Sequence, residues 1–197
     1  MSRRRLSPQQ RRAELVDAAQ QVFAAKPYDQ VRLEEVAAVA GASTALVSFH
    51  FGGKRELYLA CLRSVVDELL ARHAALPGPP SIERLAAGLR MHLEFATQRR
   101  AGYLAIVRGG HETTFPEVTA LLADVREQLV ARLAEGLGRP RTPALDLALR
   151  SYLGYVDTVT ASWLELDAAE RAQVPVDTVV AVVIGAFRGS IAALPSQ

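Results

Sequence analysis

The chain has 197 residues, of which 50% are hydrophobic, and it carries one cysteine and a formal net charge of +2. This balance excludes a disordered chain, because disorder requires low hydrophobicity together with high net charge. A single cysteine, Cys61, excludes an internal disulfide and a cysteine-based zinc site. Abundant alanine and leucine, with few β-branched runs, favour helix throughout.

No stretch of the sequence is typical of a targeting or membrane segment. The first twelve residues are polar and charged and lead into no apolar segment, so we expect no signal peptide. The longest apolar run, residues 179–187, is too short to span a bilayer and ends at Arg188. We therefore expect a cytoplasmic protein without a membrane partner.

Four helices are predicted in the first part of the chain. Apolar residues recur at helical spacing from Leu15 to Phe23, and Pro27 breaks this first pattern. Glycine at positions 41, 52 and 53 separates the next three segments. The predicted helices cover residues 8–25, 33–40, 44–51 and 54–75.

Two breaks rich in proline and glycine, at residues 77–80 and 138–143, divide the rest of the chain. Ser81 and Thr142 are suited to cap the helices that follow, and Pro143 suits a first helical position. We predict an all-α fold of about nine helices and no sheet. The later helices are expected at residues 81–98, 101–109, 115–137, 143–166 and 175–193.

The segment from Leu33 to Leu57 has the pattern of two short helices joined by a tight turn. Gly41 lies at the turn and Ser43 caps the second helix. Val47 and Phe51, spaced i,i+4, then lie on the buried side. The exposed side of this second helix carries Thr44, Ala45, Ser48, Phe49 and His50.

A helix of this size fits the major groove of DNA. Small side chains at Thr44 and Ala45 let its start approach base edges, while Ser43 and Lys54 suit phosphate oxygens. Residues 1–55 carry nine basic and five acidic side chains, and the arginines at positions 3–5 are suited to the DNA backbone or the minor groove.

A purely structural interpretation fits the same pattern. Phe49 is then a core aromatic, His50 ends a helix, and Lys54 is an ordinary solvated lysine. The basic segment is equally a solvated N-terminal region. The pattern alone therefore leaves DNA binding open.

Roughly residues 9–60 resemble the DNA-binding domain of the TetR family of transcriptional regulators. The resemblance rests on the order and spacing of Phe23, Tyr28, Val36, Ala37, Ala40, Gly41, Ala42, Ser43, Val47, Ser48, Phe49, His50, Phe51, Lys54 and Leu57. It implies a helix-turn-helix domain over residues 1–55 and an effector-binding and dimerisation domain over residues 56–197.

Two positions depart from the family pattern. Arg32 stands where the family usually has a serine or threonine that caps the second helix and contacts a phosphate. Arginine cannot cap in this way, although its guanidinium can still reach a phosphate. Ser48 stands where the family usually has a tyrosine, so a phosphate contact there is lost or shortened.

The resemblance also implies dimerisation through the last two helices. The last helix is apolar nearly all round, so it must be covered on every side. Either its own chain covers one side and a partner the other, or the core of a monomer covers all of it. Gly185 and Gly189 would permit a close helix crossing. We expect the dimer interface at Val156, Trp163, Val180, Val183, Ile184 and Phe187.

The sequence gives weaker evidence for an effector pocket than for the DNA-binding segment. The candidate lining residues lie at helical spacing, which is also typical of an ordinary core. Residues 108–112 either gate this pocket or form a simple loop. The candidates are Phe95, Tyr103, Val107, Tyr152 and Tyr155.

The sequence thus predicts a homodimeric regulator that binds a pseudopalindromic operator in double-stranded DNA and is released by an unidentified small-molecule effector. The alternative is a helical adaptor that uses the helix-turn-helix for protein contacts. The four histidines are widely scattered and no catalytic motif is present, so we expect no enzyme, catalytic residue, metal or cofactor.

Overall fold

The computed structural model describes residues 7–109 and 115–195, and within these ranges it contains ten α-helices, one 3-10 turn and no strand. All nine predicted helices are present, with ends that differ by at most one residue. The 3-10 turn is Tyr28–Gln30. The helices are α1 Pro8–Ala25, α2 Leu33–Val39, α3 Thr44–Phe51, α4 Lys54–Ala74, α5 Ile82–Gln98, α6 Arg100–Gly109, α7 Pro116–Leu137, α8 Pro143–Glu165, α9 Ala168–Gln173 and α10 Val176–Ala192.

Side-chain caps set several of these helix starts. The predicted caps are confirmed: Ser43, Ser81 and Thr142 each accept a hydrogen bond from the amide three residues later, at 3.2, 3.1 and 3.2 Å. Such a cap contributes about 1 kcal/mol because it pairs an amide that has no partner within the helix. Pro143 occupies the first turn of α8, as expected.

The six-residue helix α9 is additional to the predicted set. Asp167 accepts hydrogen bonds from the amides of Ala169 and Glu170, at 2.8 and 2.9 Å. The Glu170 carboxylate accepts one in return from the Asp167 amide, at 3.0 Å. This reciprocal capping box stabilises a helix that is too short for apolar periodicity to reveal.

The described chain divides into two compact units. The head comprises the described residues up to Glu68, and the body comprises those from Leu69 onward. The head includes the first part of α4, because Leu57, Ala60 and Cys61 belong to its core. The remaining core residues of the head are Leu15, Val16, Ala18, Ala19, Val22, Val31, Val36, Ala37, Val47 and Phe51.

In the body, α8 and α10 pack against each other, and α5 packs against α10. α6 and α7 contact other sides of α8, so α8 is the central helix of this unit. Leu149 and Leu164 of α8 are completely buried in the core. Along the described ranges, no helix combines the length and the apolarity that crossing a bilayer requires.

Candidate nucleic-acid interface

The orientation of α3 is fixed by two buried side chains. Val47 is fully buried and Phe51 is nearly so, and both lie in the core of the head. The helix ends at Gly52, whose φ of +81° lies in a region that favours glycine. Because the two anchors are spaced i,i+4, the opposite side of α3 is turned to solvent.

Phe49 is the most prominent residue on this outward side. Its side chain is 83% exposed, whereas Phe51, two residues later, is 7% exposed. Burial of such a ring would stabilise the folded chain by about 1.5–3 kcal/mol, and Phe49 does not gain this stabilisation. The core-packing interpretation of Phe49 is therefore excluded.

Small side chains accompany Phe49. Ala45 is exposed, and Thr44 and Ser48 are half-buried. The helical spacing of these positions brings them onto one side of α3. We call this surface the α3 face, and it consists of Thr44, Ala45, Ser48 and Phe49.

Ser43 and His50 lie at the two ends of this face. Ser43 is exposed, and its oxygen caps α3 by accepting the Leu46 amide at 3.2 Å. His50 is half-buried, with its ring centroid 5.5 Å from that of Phe49. His50 also lines an open cleft of about 680 Å³ together with Arg12 and other residues of α1 and α4.

Lys54 is tied to the backbone of the head. Its Nζ donates hydrogen bonds to the carbonyl oxygens of Tyr28 and Val31, at 3.0 and 3.1 Å. The same nitrogen lies 4.4 Å from the centroid of the Tyr28 ring. Lys54 therefore joins the start of α4 to the turn that precedes α2, and it is not the ordinary solvated lysine considered above. A phosphate would compete with two carbonyl oxygens for its protons.

Arg32 is exposed at the start of α2 and, as expected, its side chain does not cap the helix. The Glu35 carboxylate accepts the Arg32 amide at 3.1 Å and the Lys26 ammonium at 2.6 Å. The hydrogen bond from Lys26, followed by that from the Arg32 backbone, holds the pKa of Glu35 below its usual value. Glu35 thus makes one half of a capping box by pairing the Arg32 amide, whereas a serine at position 32 would make the other half by accepting the Glu35 amide. The arginines at positions 3–5 lie outside the described residues.

The six side chains expected at a dimer interface lie in the core of their own chain. Each is at most 8% exposed, so little of its surface is available to a second copy. The reason is that α10 packs against α5 and α8, so its four positions and the two on α8 belong to one core. They are Val156, Trp163, Val180, Val183, Ile184 and Phe187.

Other apolar side chains on α8 and α10 are exposed instead. Leu147 is 69%, Val182 is 48% and Tyr155 is 38% exposed. Gly185 and Gly189 are also exposed, with open space where a Cβ atom would lie. The sequence analysis missed Leu147 and Val182, because a helix that is apolar all round does not show which side meets its own core.

The five candidate effector residues are divided between core and surface. Phe95 is buried, with the guanidinium of Arg99 4.2 Å from its ring centroid. Tyr152 is 3% exposed, and its hydroxyl has no hydrogen-bond partner in the described part of the chain. Tyr103 and Val107 are half-buried, whereas Tyr155 faces solvent. Of the proposed gate at residues 108–112, positions 110–112 lie outside the described residues.

Tyr103 belongs to a polar cluster that the sequence analysis did not identify. Its hydroxyl lies 3.1 Å from His92 Nε2 and donates to the carboxylate of Asp157 at 3.4 Å. Arg126 donates to the other oxygen of Asp157 at 2.7 Å. One available signal was Asp157 itself, a lone acidic residue between the apolar residues Val156 and Val159.

Comparison with known proteins gives the same family over both units. A family model described as "Bacterial regulatory proteins, tetR family" matches residues 15–61. A second, described as "Tetracyclin repressor-like, C-terminal domain", matches residues 82–185, which is more than half of the chain.

Two curated relatives are each 34% identical to the chain. The HTH-type transcriptional activator FasR of Mycolicibacterium smegmatis aligns over 118 residues, 59% of this chain and 53% of that protein. The chain thus matches about half the length of this relative. The HTH-type transcriptional regulator BetI of Rhizobium meliloti aligns over 143 residues, 69% of this chain and 68% of that protein.

A crystal structure of a tetR-family transcriptional regulator from Streptomyces coelicolor has a similar fold. It superposes with a TM-score of 0.79 at 26% sequence identity, covering 96% of this chain and 92% of that one. The fold and the helix-turn-helix define the class, a helical transcriptional regulator with a DNA-binding head. The chain belongs to the tetR family of bacterial regulatory proteins.

Proposed function

We propose that this regulator binds an operator in duplex DNA through the α3 face, acts as a repressor, and is released by a small molecule bound in the body. One observation carries the DNA contact: Phe49 is 83% exposed on a helix that Val47 and Phe51 anchor from behind. An exposed aromatic ring flanked by small side chains can meet thymine methyl groups and base edges in the major groove.

The proposed assembly is a homodimer. Leu147, Tyr155 and Val182 expose apolar surface on two helices of the body, and Gly185 permits close approach of another helix. Two copies would present two α3 helices to half-sites about 34 Å apart, one turn of DNA. The pseudopalindromic operator follows from the twofold symmetry of such a dimer.

Selection of bound sequences from random duplex DNA tests the DNA contact. We expect enrichment of an inverted repeat, and Phe49→Ala should then bind it about tenfold more weakly, because it loses roughly 1.4 kcal/mol of contact. Val39→Ala is the matched control, since Val39 is also an exposed apolar residue of the head and lies outside the α3 face.

Equal affinity of the Phe49→Ala variant would contradict the role of the α3 face. A wild-type chain that shows no salt-dependent binding to any duplex would favour the adaptor function, since phosphate contacts release counterions. Reporter expression with and without the regulator decides between repression and activation.

Sedimentation tests the dimer. We expect a particle near twice the 21.3 kDa chain mass, and Val182→Glu should shift it toward monomer by placing a charge at the contact. Val39→Glu is the control at an exposed valine of the head. A Val182→Glu variant that remains fully dimeric at micromolar concentration would place the interface elsewhere.

A further inference from the structure

Four helices of the body contribute side chains to a connected polar cluster. The members are His92 of α5, Tyr103 of α6, Arg126 of α7, and Asp157 and buried Thr160 of α8, with Thr160 also hydrogen-bonded to Tyr103. Tyr103 donates its proton to Asp157 Oδ1, and His92 Nε2 therefore donates to the Tyr103 oxygen. The cluster is thus a directed chain of hydrogen bonds that ends on a carboxylate.

The carboxylate of Asp157 lies at the outer end of this chain. Its side chain is 27% exposed, whereas that of its partner Arg126 is 56% exposed. Burial raises the pKa of Asp157 above its usual value, and the charge and hydrogen bond of Arg126 oppose this rise. The positive charge that stabilises the Asp157 carboxylate therefore comes from Arg126, whose side chain lies largely in solvent.

The inner members of the cluster are electrically neutral. Burial lowers the pKa of His92 to about 4, and it raises the pKa of Tyr103. Asp157 is consequently the charge that an incoming molecule meets in this cluster once Arg126 moves away. A carboxylate in low-dielectric surroundings favours a cationic hydrogen-bond donor and disfavours another anion.

A second observation on α8 points to an unmet polar requirement. Tyr152, five positions before Asp157, is buried against the ring of Phe187, with ring centroids 5.0 Å apart. Its hydroxyl has no partner among the described residues, whereas buried phenol hydroxyls usually have one. Five residues turn a helix by about 140°, so this hydroxyl faces a different side of α8 from Asp157 and lies outside the polar cluster. Apolar surface beside the cluster comes instead from Tyr103, whose ring is partly buried against the core.

We propose that Asp157 and Tyr103, positioned by His92, bind the protonated amine or guanidine group of a small molecule with an apolar body, which displaces Arg126 from Asp157. The role of this molecule as an effector rests on the proposed function. The exposed Arg126 guanidinium contacts Asp157 at 2.7 Å and would compete with the cation of the ligand. Removal of Arg126 should therefore strengthen ligand binding, whereas loss of the Asp157 charge should weaken it.

Calorimetric titration of the full chain with hexylammonium, hexanoate and hexanol tests the site. We expect hexylammonium alone to bind. Asp157→Asn should weaken its binding at least tenfold, and Arg126→Ala should strengthen it several-fold. The matched controls are Asp177→Asn and Arg90→Ala, because this ion pair, at 2.8 Å, is exposed on both sides.

Several outcomes would overturn the proposal. The first is that hexanoate binds as tightly as hexylammonium. The second is that Asp157→Asn binds hexylammonium as tightly as the wild type, or that Arg126→Ala binds it more weakly. The third is that neither the wild type nor Arg126→Ala binds hexylammonium. The Arg126→Ala result decides the matter even if Asp157→Asn fails to fold.

A second measurement separates this proposal from the proposed function. Hexylammonium should lower the affinity of the wild type for its selected operator and leave that of Asp157→Asn unchanged. Binding without an effect on operator affinity would retain the site and remove its role as an effector site. Failure to bind any duplex would overturn the proposed function, while the titration would still decide the site.

Discussion

The head and the body arrange their polar and aromatic side chains in opposite ways. In the head, Phe49 and Ala45 project into solvent from a single helix, and their positions follow from a few neighbouring residues. In the body, Tyr103 and Asp157 come from separate helices and meet in partly buried surroundings. The difference teaches that an exposed helix face can be encoded by neighbouring residues, whereas a polar cluster depends on packing between helices that are distant in the chain.

Two natural reporters allow this comparison to be tested region by region. Trp163 is the single tryptophan of the chain and lies buried in the body. Cys61 is the single cysteine and lies buried in the head, where burial raises the pKa of its thiol to about 12. Tryptophan fluorescence therefore follows the body, and labelling by a thiol reagent follows opening of the head.

The largest expected effect is acid destabilisation of the body. The pKa of His92 is about 4 in the folded chain and 6.5 as the reference value, so the neutral form is favoured on folding. The free energy of unfolding is therefore highest above pH 6.5. It decreases as pH falls toward 4, by at most about 3 kcal/mol, because the unfolded chain protonates His92 more readily. Denaturation followed by Trp163 should show this loss.

His92→Gln should remove most of this pH dependence. The comparison with the wild type is needed because His73 also has a lowered pKa, whereas the raised pKa of Asp157 acts in the opposite direction. An unchanged pH slope in His92→Gln would contradict the role of burial. Cys61 labelling that follows the same acid transition would show that both units unfold together.

The next effect concerns Lys54 in the head. Lys54→Ala leaves the carbonyls of Tyr28 and Val31 without their donor and should destabilise the head by about 1–3 kcal/mol. Cys61 labelling should accelerate, while the Trp163 transition stays in place. The control is Lys26→Ala, which removes a surface ion pair worth about 0–1 kcal/mol. Wild-type stability combined with a reduced salt slope of DNA binding would instead support the phosphate contact.

The smallest effect is expected at the start of α2. Arg32→Ser supplies a hydroxyl cap and should stabilise the head by about 0.5–1 kcal/mol in urea denaturation, whereas Arg32→Ala should not. Identical stability of the two variants would mean that the Glu35 amide, which already donates to the Arg32 carbonyl at 3.1 Å, gains nothing from a hydroxyl cap. Both variants should weaken DNA binding equally if the guanidinium contacts a phosphate.

Local features of the fold could be predicted from the sequence because their causes lie close together in the chain. The α3 face follows from Ser43, Val47 and Phe51, which lie within a few residues of one another. The hydrogen bonds of Lys54 could not be predicted, because its carbonyl partners lie 26 and 23 residues away in the chain. On α10, buried Val183 and exposed Val182 are adjacent valines, so composition alone could not show which of them faces solvent.

Two glycines enclose the helix that carries the α3 face. Gly41 has φ of +58° before it, and Gly52 has φ of +81° after it, so both joints depend on glycine and not on the residues between them. Within these joints, Val47 and Phe51 alone are buried in α3. The outward residues of this segment can therefore be replaced as a set, while the two glycines and the two buried side chains keep the helix in place.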